Sequence, residues 1–479
     1  MIGWQMQPDY GRDGDSMTDR IAVLVRRGVV SLLSCAGIVV AMQLLFSGVL
    51  VMDWPIWYQD PLELVRRYLV VPWSFTLGVL CLYERNQRQE KTNIRYVLLT
   101  LLLLWIIVPF GVRFGFTFNN VTSWSNAFIA FVSVYIMTNW HDLETRERDL
   151  NVVCLCMLLI SLVWGGLLLL CAATAQAIEI GAGGYVFGVS IQKQGCLTSG
   201  MHYNNTGMLA VCLYYMNLAG SARCKKKLCK AMFGIAAAMM VVVTVLTQSR
   251  TARYSLLIAT AIMAFGWLFG YLHKKSLLMR SVASAGLAAV ILVGGYLAAD
   301  ELTNAAMQSY TEQGVMTKAL AEEQEESEKA VNNDVFVVRG AGEMSFTGRT
   351  TFWKNALNYW KENPKYLLIG LGVGGFSKYA AGGNGAVGYM LHNAYLQIVA
   401  DYGLIGALLY AGFMVLMIRP VVGSLFAVMG RAGHRALAAM VVACLVTGFM
   451  ESIPLAPLSA MNLMMMYALA HLSGEDKQN

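Results

Sequence analysis

The chain has 479 residues, of which 57% are hydrophobic and only 14% are charged, with a mean hydropathy of +0.53. A soluble domain of this size carries roughly a quarter charged residues, so the composition excludes an ordinary soluble protein. The net charge of +7 does not indicate nucleic-acid binding, because the cations gather between apolar runs on one side of a predicted membrane.

Apolar runs recur along the whole chain, and a membrane-spanning helix needs about 20 such residues. Backbone groups in lipid must be hydrogen-bonded within the segment, so these runs are predicted to be helices. We therefore predict an all-α polytopic membrane protein with about 12 transmembrane helices. The predicted spans lie near 28–52, 68–82, 96–112, 124–139, 150–174, 206–221, 231–247, 254–272, 281–299, 393–418, 436–451 and 454–471.

The lysines and arginines predict the orientation of these spans. With a cytoplasmic N-terminus, the inner segments hold 22 of them and the short outer loops hold 6, as the positive-inside rule requires. Both termini are then expected to be cytoplasmic. The predicted divisions are an N-terminal tail (1–27), nine spans (28–299), a large extracytoplasmic loop domain between the ninth and tenth spans (300–392), three further spans (393–471) and a C-terminal tail (472–479).

Two outer loops in the first half of the chain carry candidate binding residues. The loop at 175–205 ends in His202, Asn204 and Asn205, a polar cluster that is a candidate substrate-binding site. The short loop TQSRTARYS contains Arg250 and Arg253, three residues apart. Arginines at the ends of spans snorkel, pair or bind an anion. We favour anion binding for Arg250, which hydroxyl residues flank, and interface anchoring for Arg253, which remains a secondary candidate for substrate binding.

The long outer loop divides into an acidic and an aromatic part. The acidic run within 300–334 is typical of a solvated helix or a mobile insertion. The segment 350–362 is predicted to be an amphipathic helix, because Trp353, Leu357 and Trp360 recur at helical spacing. Such a helix would suit the membrane interface.

A proline and a glycine-rich run follow this predicted helix. Asn363-Pro364 is expected to end it. The run GLGVGG at 370–375 resembles a dinucleotide fingerprint, but that motif needs a preceding strand, and it would lie outside the cell. We expect instead a glycine-rich loop through which the backbone approaches a ligand or the membrane.

Two further residues beside this loop are candidates for chemistry. Arg349 could form a phosphate clamp with Arg250, because guanidinium groups bind phosphate oxygens through two parallel hydrogen bonds. His392 opens the tenth predicted span. It is either a capping or interface histidine or a general base, since imidazole exchanges protons near neutral pH. The adjacent Asn393 could orient His392 or a ligand.

Four motifs together resemble the O-antigen ligase and O-antigen polymerase family of bacterial envelope glycosyltransferases. They are SRT at 249–251, GRTTFWKNALNYWKENP at 348–364, GLGVGGF at 370–376 and HNAYLQIVADYGLIG at 392–406. The similarity in order and spacing covers about 190–410. MHYNNTGM at 201–208 also resembles a family element, although His202-Tyr203 departs from the family pattern.

The resemblance implies a type-C glycosyltransferase with no metal or other cofactor. Its partners would be an undecaprenyl-pyrophosphate-linked glycan donor, an acceptor glycan or glycolipid, and membrane lipids. It implies that Arg250 and Arg349 hold the pyrophosphate and that His392 assists the acceptor sugar. Attack opposite the leaving group would invert the anomeric centre.

Two other functions fit the sequence less well. A metal-dependent type-C oligosaccharyltransferase would use carboxylates of the first outer loop, but Asp53, Asp60 and Glu63 lack a tight metal-binding spacing. A lipid-linked oligosaccharide flippase or other multi-span transporter would fit the number of spans. Such transporters usually show repeated halves, and none is visible in this sequence.

Overall fold

The computed structural model describes residues 71–87, 93–113, 124–140, 143–180, 185–190, 196–199, 203–312, 347–372, 376, 391–427, 432–452 and 459–473. Several predicted features lie outside these residues, among them the N-terminal tail (1–27), the first span at 28–52, the carboxylates Asp53, Asp60 and Glu63, His202, and the acidic segment beyond residue 312.

The described chain is mainly helical. Most of its helices coincide with the predicted apolar runs, because a helix pairs the backbone N–H and C=O groups within one segment of the chain. They are α1 (Val71–Gln87), α2 (Ile94–Arg113), α3 (124–140, with a π-helical part at Ile129–Ile136), α4 (Leu143–Ala173), α5 (Tyr203–Arg223), α6 (Lys227–Leu246), α7 (Arg250–Tyr271), α8 (Leu277–Glu312), α9 (Thr347–Glu362), α10 (Pro364–Ile369), α11 (Ala394–Leu425), α12 (Ala432–Gly448) and α13 (Ala460–Ser473).

Five of the described helices are long and apolar enough to cross a membrane, namely α4, α6, α7, α8 and α11. Two apolar stretches, Ile94–Pro109 and Ala432–Gly448, are shorter. The chain is thus a helical membrane protein, and the count of twelve spans stays a prediction. Helix α8 continues past the predicted end of its span at residue 299 as far as Glu312.

The segment 175–205, predicted to be an outer loop, contains a feature that hydropathy did not predict. Strands β1 (Ala177–Ile180), β2 (Tyr185–Ser190) and β3 (Cys196–Ser199) form a three-stranded antiparallel meander. The last strand is fully buried. It leads into α5, and Ser199 contacts the hydroxyl of Thr206 in the first turn of that helix. The meander therefore helps to fix where α5 begins.

Helix α5 lies in the centre of the helical bundle and packs against α4, α6, α7 and α12. Fourteen of its 21 residues are buried, including the polar residues Thr206 and Asn217. Because the neighbouring helices shield α5 from lipid, α5 does not need an apolar outer face. This explains why its sequence is only moderately hydrophobic. A Cβ on Gly207 would lie 2.7 Å from Thr247 Oγ1 and 2.8 Å from Ala252 Cβ. The start of α5 is therefore tightly packed against the turn between α6 and α7.

Helix α11 is broken at Gly403, which has φ 69° and ψ 179°. The break frees three carbonyl groups, and each has a partner. Leu371 N donates to Ala400 O (2.8 Å), Gly372 N donates to Asp401 O (2.9 Å) and Trp105 Nε1 donates to Tyr402 O (2.7 Å). The described start of the glycine-rich run therefore approaches a broken helix of this chain, and helix α10 precedes it where a dinucleotide fingerprint would have a strand.

Replacing Gly403 by alanine is expected to destabilise the protein by about 3 kcal/mol or more, because only glycine readily adopts this backbone conformation. A Cβ there would also lie 2.2 Å from Leu368 O. The matched control is Gly423→Ala in the same helix, where a Cβ meets no atom within 4 Å. The control should change stability by less than about 1 kcal/mol. Thermal unfolding in detergent measures both, and equal unfolding temperatures would contradict the assigned role of the break.

A second, smaller core fixes α9 and α10 to the first part of α11. It consists of Ala356, Trp360, Leu371, Phe376, Leu391 and Ala400. The predicted helix at 350–362 is confirmed, and of the three residues that recur along it only Leu357 is exposed. Trp360 is buried, and Trp353 Nε1 donates to Leu391 O (2.8 Å), whereas Leu357 is 52% exposed. Both tryptophans thus pack on the protein.

Candidate active site

A buried carboxylate stands where four segments of the chain meet. Glu451, just beyond α12, is 3% exposed. Its Oε1 accepts hydrogen bonds from Asn204 Nδ2 (2.7 Å) and Arg349 Nη2 (2.8 Å), and its Oε2 lies 3.0 Å from His392 Nδ1. We call Glu451, Asn204, Arg349 and His392 the carboxylate cluster. It brings Arg349 and His392, which the resemblance placed in one active site, together with Asn204 from the polar cluster at the end of the loop 175–205.

Each member of the cluster stands at an end of a helix. Asn204 is in the first turn of α5, Arg349 is in the first turn of α9, and His392 immediately precedes the N-cap of α11. His392 has a positive φ of 47°, which is uncommon for a non-glycine residue. Asn393 is that N-cap. Its Oδ1 accepts from Leu396 N (3.0 Å) and its Nδ2 donates to Phe449 O (3.2 Å). Asn393 thus orients its neighbour His392 through the backbone.

The charges of the cluster compensate one another. A carboxylate out of contact with water is costly unless it is paired and hydrogen-bonded, and Glu451 has both an ion pair with Arg349 and the Asn204 amide. An ionised carboxylate can only accept hydrogen bonds. His392 Nδ1 therefore carries the proton towards Glu451, and in the neutral imidazole the lone pair is on Nε2.

The imidazole of His392 is the most solvent-exposed part of the carboxylate cluster. The side chain of His392 is 38% exposed, against 20% for Arg349 and 4% for Glu451. Within the described part of the chain, His392 Nε2 has no hydrogen-bond partner. An imidazole held by a carboxylate on one nitrogen and open on the other can remove a proton from a hydroxyl group.

Arg250 is the first residue of α7 and is exposed. Ser249 caps the helix, with its side chain accepting from Ala252 N (3.2 Å). Helix N-termini bind anions through free amide groups and the helix dipole. No hydrogen bond or ion pair joins Arg250 to the carboxylate cluster among the described residues. Both lie at the same end of the bundle, since Thr447 Oγ1, one turn before Glu451, donates to Ser255 Oγ in the second turn of α7 (2.7 Å).

Arg253 instead joins three helices. Its Nη2 donates to Val245 O in α6 (2.8 Å) and to Thr303 Oγ1 in α8 (2.6 Å). These contacts hold α6, α7 and α8 together, and the interpretation of this residue as an interface anchor stays a prediction. Asn205, next to the cluster member Asn204, has a buried Oδ1 without a hydrogen-bond partner in the described structure. His202 is outside the described residues.

Sequence reasoning missed Glu451, although a signal was present. The residue ends the predicted span at 436–451, and an ionisable group at the end of an apolar run suggests a functional site by default. Among the described residues, no three His, Cys, Asp or Glu side chains are grouped as a metal site would require.

Comparison with known families supports the resemblance that the motifs carry. Residues 235–411 match the family model described as O-antigen ligase, and this region contains Arg250, Arg349 and His392. No curated protein matches the chain. The match covers more than a third of the chain, and over that region the similarity to the O-antigen ligase family accords with the motifs seen in the sequence.

Proposed function

We propose that this protein transfers a glycan from an undecaprenyl-pyrophosphate carrier to an acceptor sugar at the outer face of the bacterial cytoplasmic membrane. The family match indicates a membrane glycosyltransferase of the ligase or polymerase type. The observation that supports the mechanism is the ion-paired Glu451, which holds His392 beside Arg349 and leaves the imidazole open on one side. An acceptor hydroxyl has access to that side.

In the proposed reaction, His392 Nε2 takes the proton of the acceptor hydroxyl. The acceptor oxygen then attacks the anomeric carbon of the donor sugar. The bond between that carbon and the diphosphate oxygen breaks, and the diphosphate leaves with the electron pair on the face opposite the attack, so the configuration inverts. Glu451 stabilises the imidazolium, as the carboxylate of a catalytic triad does.

Negative charge develops on the diphosphate as it leaves, and positively charged groups that are already positioned beside it stabilise that charge. Arg349 uses one N–H for Glu451, and Nη1 makes only a long contact with Met450 Sδ (3.6 Å). A guanidinium group has five N–H donors, so others are free for phosphate oxygens. Arg250 supplies the second guanidinium group, at the N-terminus of α7.

A direct test uses the full-length protein in proteoliposomes with lipid-linked glycan extracted from the source organism. The proposal predicts that glycan is transferred to an added acceptor and that chelation of divalent metals with EDTA leaves the rate unchanged. Movement of the carrier across the bilayer without cleavage of the glycosyl bond would show a flippase and refute the proposal. Loss of transfer with EDTA would refute the metal-independent mechanism.

Substitution of the two arginines of α7 should separate phosphate binding from anchoring. Arg250→Lys is expected to lower transfer by about 10²–10³-fold, as removal of a single oxyanion donor does, because lysine cannot bind phosphate through two parallel hydrogen bonds. Arg253→Lys is the matched control, three residues away in the same helix, and should chiefly affect thermal stability. Equal losses of transfer in the two variants would contradict the separate roles.

A further inference from the structure

The side of α9 that faces away from the protein carries lysines around a leucine. Arg349, Ala356 and Trp360 face the protein, whereas Lys354 and Lys361 are exposed and Leu357 is 52% exposed. The spacing of three and four residues puts these exposed residues on one face of the helix.

Helix α10 likewise exposes a lysine and a leucine. Lys365 and Leu368 are three residues apart and both exposed, with Leu368 50% exposed. Lys365 Nζ lies 4.9 Å from the ring centroid of Tyr366. The two consecutive helices therefore present three lysines and two leucines away from the protein.

The position of α10 relative to the membrane follows from the broken helix. Beyond Gly403, α11 runs for 22 residues to Leu425, which at 1.5 Å per residue is about 33 Å. The hydrocarbon core of a bilayer is about 30 Å thick. With the exposed Arg419 near the far end of this stretch snorkelling to the inner surface, the break lies near the outer boundary. Leu404 and Leu408, just past the break, are 40% and 70% exposed and begin the lipid-facing side. Because Leu368 O contacts Gly403, α10 lies at the same level.

We propose that the exposed face of α9 and α10 rests on the outer surface of the membrane, with Lys354, Lys361 and Lys365 binding the phosphate groups of anionic phospholipids. Helices that lie in the interface combine apolar residues with lysines in this way, and lysines near a surface are attracted to anionic lipids. Glu362 is the one exposed acidic residue in the described residues of these two helices, so the face stays positive. Leu357 and Leu368 enter the lipid between the lysines.

This contact would hold the active site at a fixed height above the membrane. Arg349 is in the first turn of the same helix whose later turns carry Lys354 and Lys361. The proposal does not depend on the glycosyl-transfer reaction, since lipid binding can be measured without a glycan donor.

Hydrogen exchange of the full-length protein in nanodiscs tests the proposal. Nanodiscs of phosphatidylcholine alone are compared with nanodiscs that also contain phosphatidylglycerol. We expect amides of 347–369 to exchange about fivefold more slowly with the anionic lipid, the effect of about one favourable lysine contact. The K354Q/K361Q/K365Q variant should lose this difference and K354R/K361R/K365R should keep it. The control variant K225Q/K226Q/K227Q removes the same charge from the opposite end of the bundle and should also keep it.

Three results would overturn the proposal. The first is equal exchange of the wild-type protein in the two kinds of nanodisc. The second is an undiminished lipid effect in K354Q/K361Q/K365Q. The third is the same protection from inorganic phosphate added to phosphatidylcholine nanodiscs, which would show that the lysines bind soluble phosphate and not lipid.

Discussion

The Glu451→Gln variant is expected to lose glycosyl transfer by about 10²–10⁴-fold, the usual contribution of a general base, while keeping its fold. Glutamine can still accept the hydrogen bond from Arg349, but its amide nitrogen then faces His392 Nδ1. The imidazole must accept that bond at Nδ1 and carry its proton on Nε2, where the acceptor hydroxyl needs a lone pair. Transfer rates in proteoliposomes, together with thermal unfolding in detergent, measure the two properties separately.

Two further variants distinguish positioning from simple structural support. Glu451→Ala should also destabilise the protein by about 3 kcal/mol, because it leaves the partly buried Arg349 with neither its counter-ion nor the hydrogen-bond acceptor that glutamine keeps. Glu451→Asp should recover part of the transfer rate, since it keeps the charge. The matched control is Glu362→Gln, at an exposed position on α9, which should transfer normally. Glu451→Gln with wild-type turnover would show that Glu451 does not act on His392.

Alanine substitutions of His392 and Arg349 should have different kinetic effects. His392→Ala is expected to lower turnover by about 10²–10⁴-fold and to leave donor binding nearly unchanged, because the imidazole acts on the acceptor. Arg349→Ala should weaken both donor binding and turnover, with a combined loss of about 2–4 kcal/mol of transition-state stabilisation. Binding of radiolabelled lipid-linked glycan and the transfer rate, measured on the same proteoliposomes, separate the two effects.

The conservative variant Arg349→Lys provides a control for charge. Lysine keeps the ion pair with Glu451 but cannot bind phosphate through two parallel hydrogen bonds, so donor binding should stay weak although the fold is restored. If His392→Ala lost donor binding as Arg349→Ala does, the histidine would be a phosphate ligand and the general-base role would be wrong.

Hydropathy predicted the helices well because a chain in lipid has few alternatives. The predicted spans at 96–112, 150–174 and 231–247 each overlap an observed helix. The amphipathic helix at 350–362 and its end at Asn363 also follow from local signals. Periodicity identified one face of that helix but not what covers it, and the structure shows that the tryptophans pack against the protein.

The break in α11 was not predicted. DYGLIG lies inside an apolar run, and a single glycine in such a run is compatible with a continuous helix. The break depends on a partner about thirty residues earlier, where Gly370 and Gly372 let the backbone reach Ala400 and Asp401. Pairing of this kind between distant backbone segments leaves little trace in one sequence.

The same limit explains why Glu451 was overlooked while Arg349 and His392 were found. Arg349 and His392 stand in recognisable motifs, whereas Glu451 lies at the end of an apolar run and belongs to no recognisable motif. Its partners are 247, 102 and 59 residues away along the chain. Only the packing of α5, α9, α11 and α12 reveals that a single carboxylate serves all three.

A double-mutant cycle on His392 and Glu451 tests the central claim most directly. If Glu451 acts through His392, the transfer rate of His392→Ala/Glu451→Gln should be no lower than that of His392→Ala alone, because residues that act as a unit are non-additive. Losses that multiply in the double variant would show that the two residues act independently, and the proposed catalytic pair would be wrong.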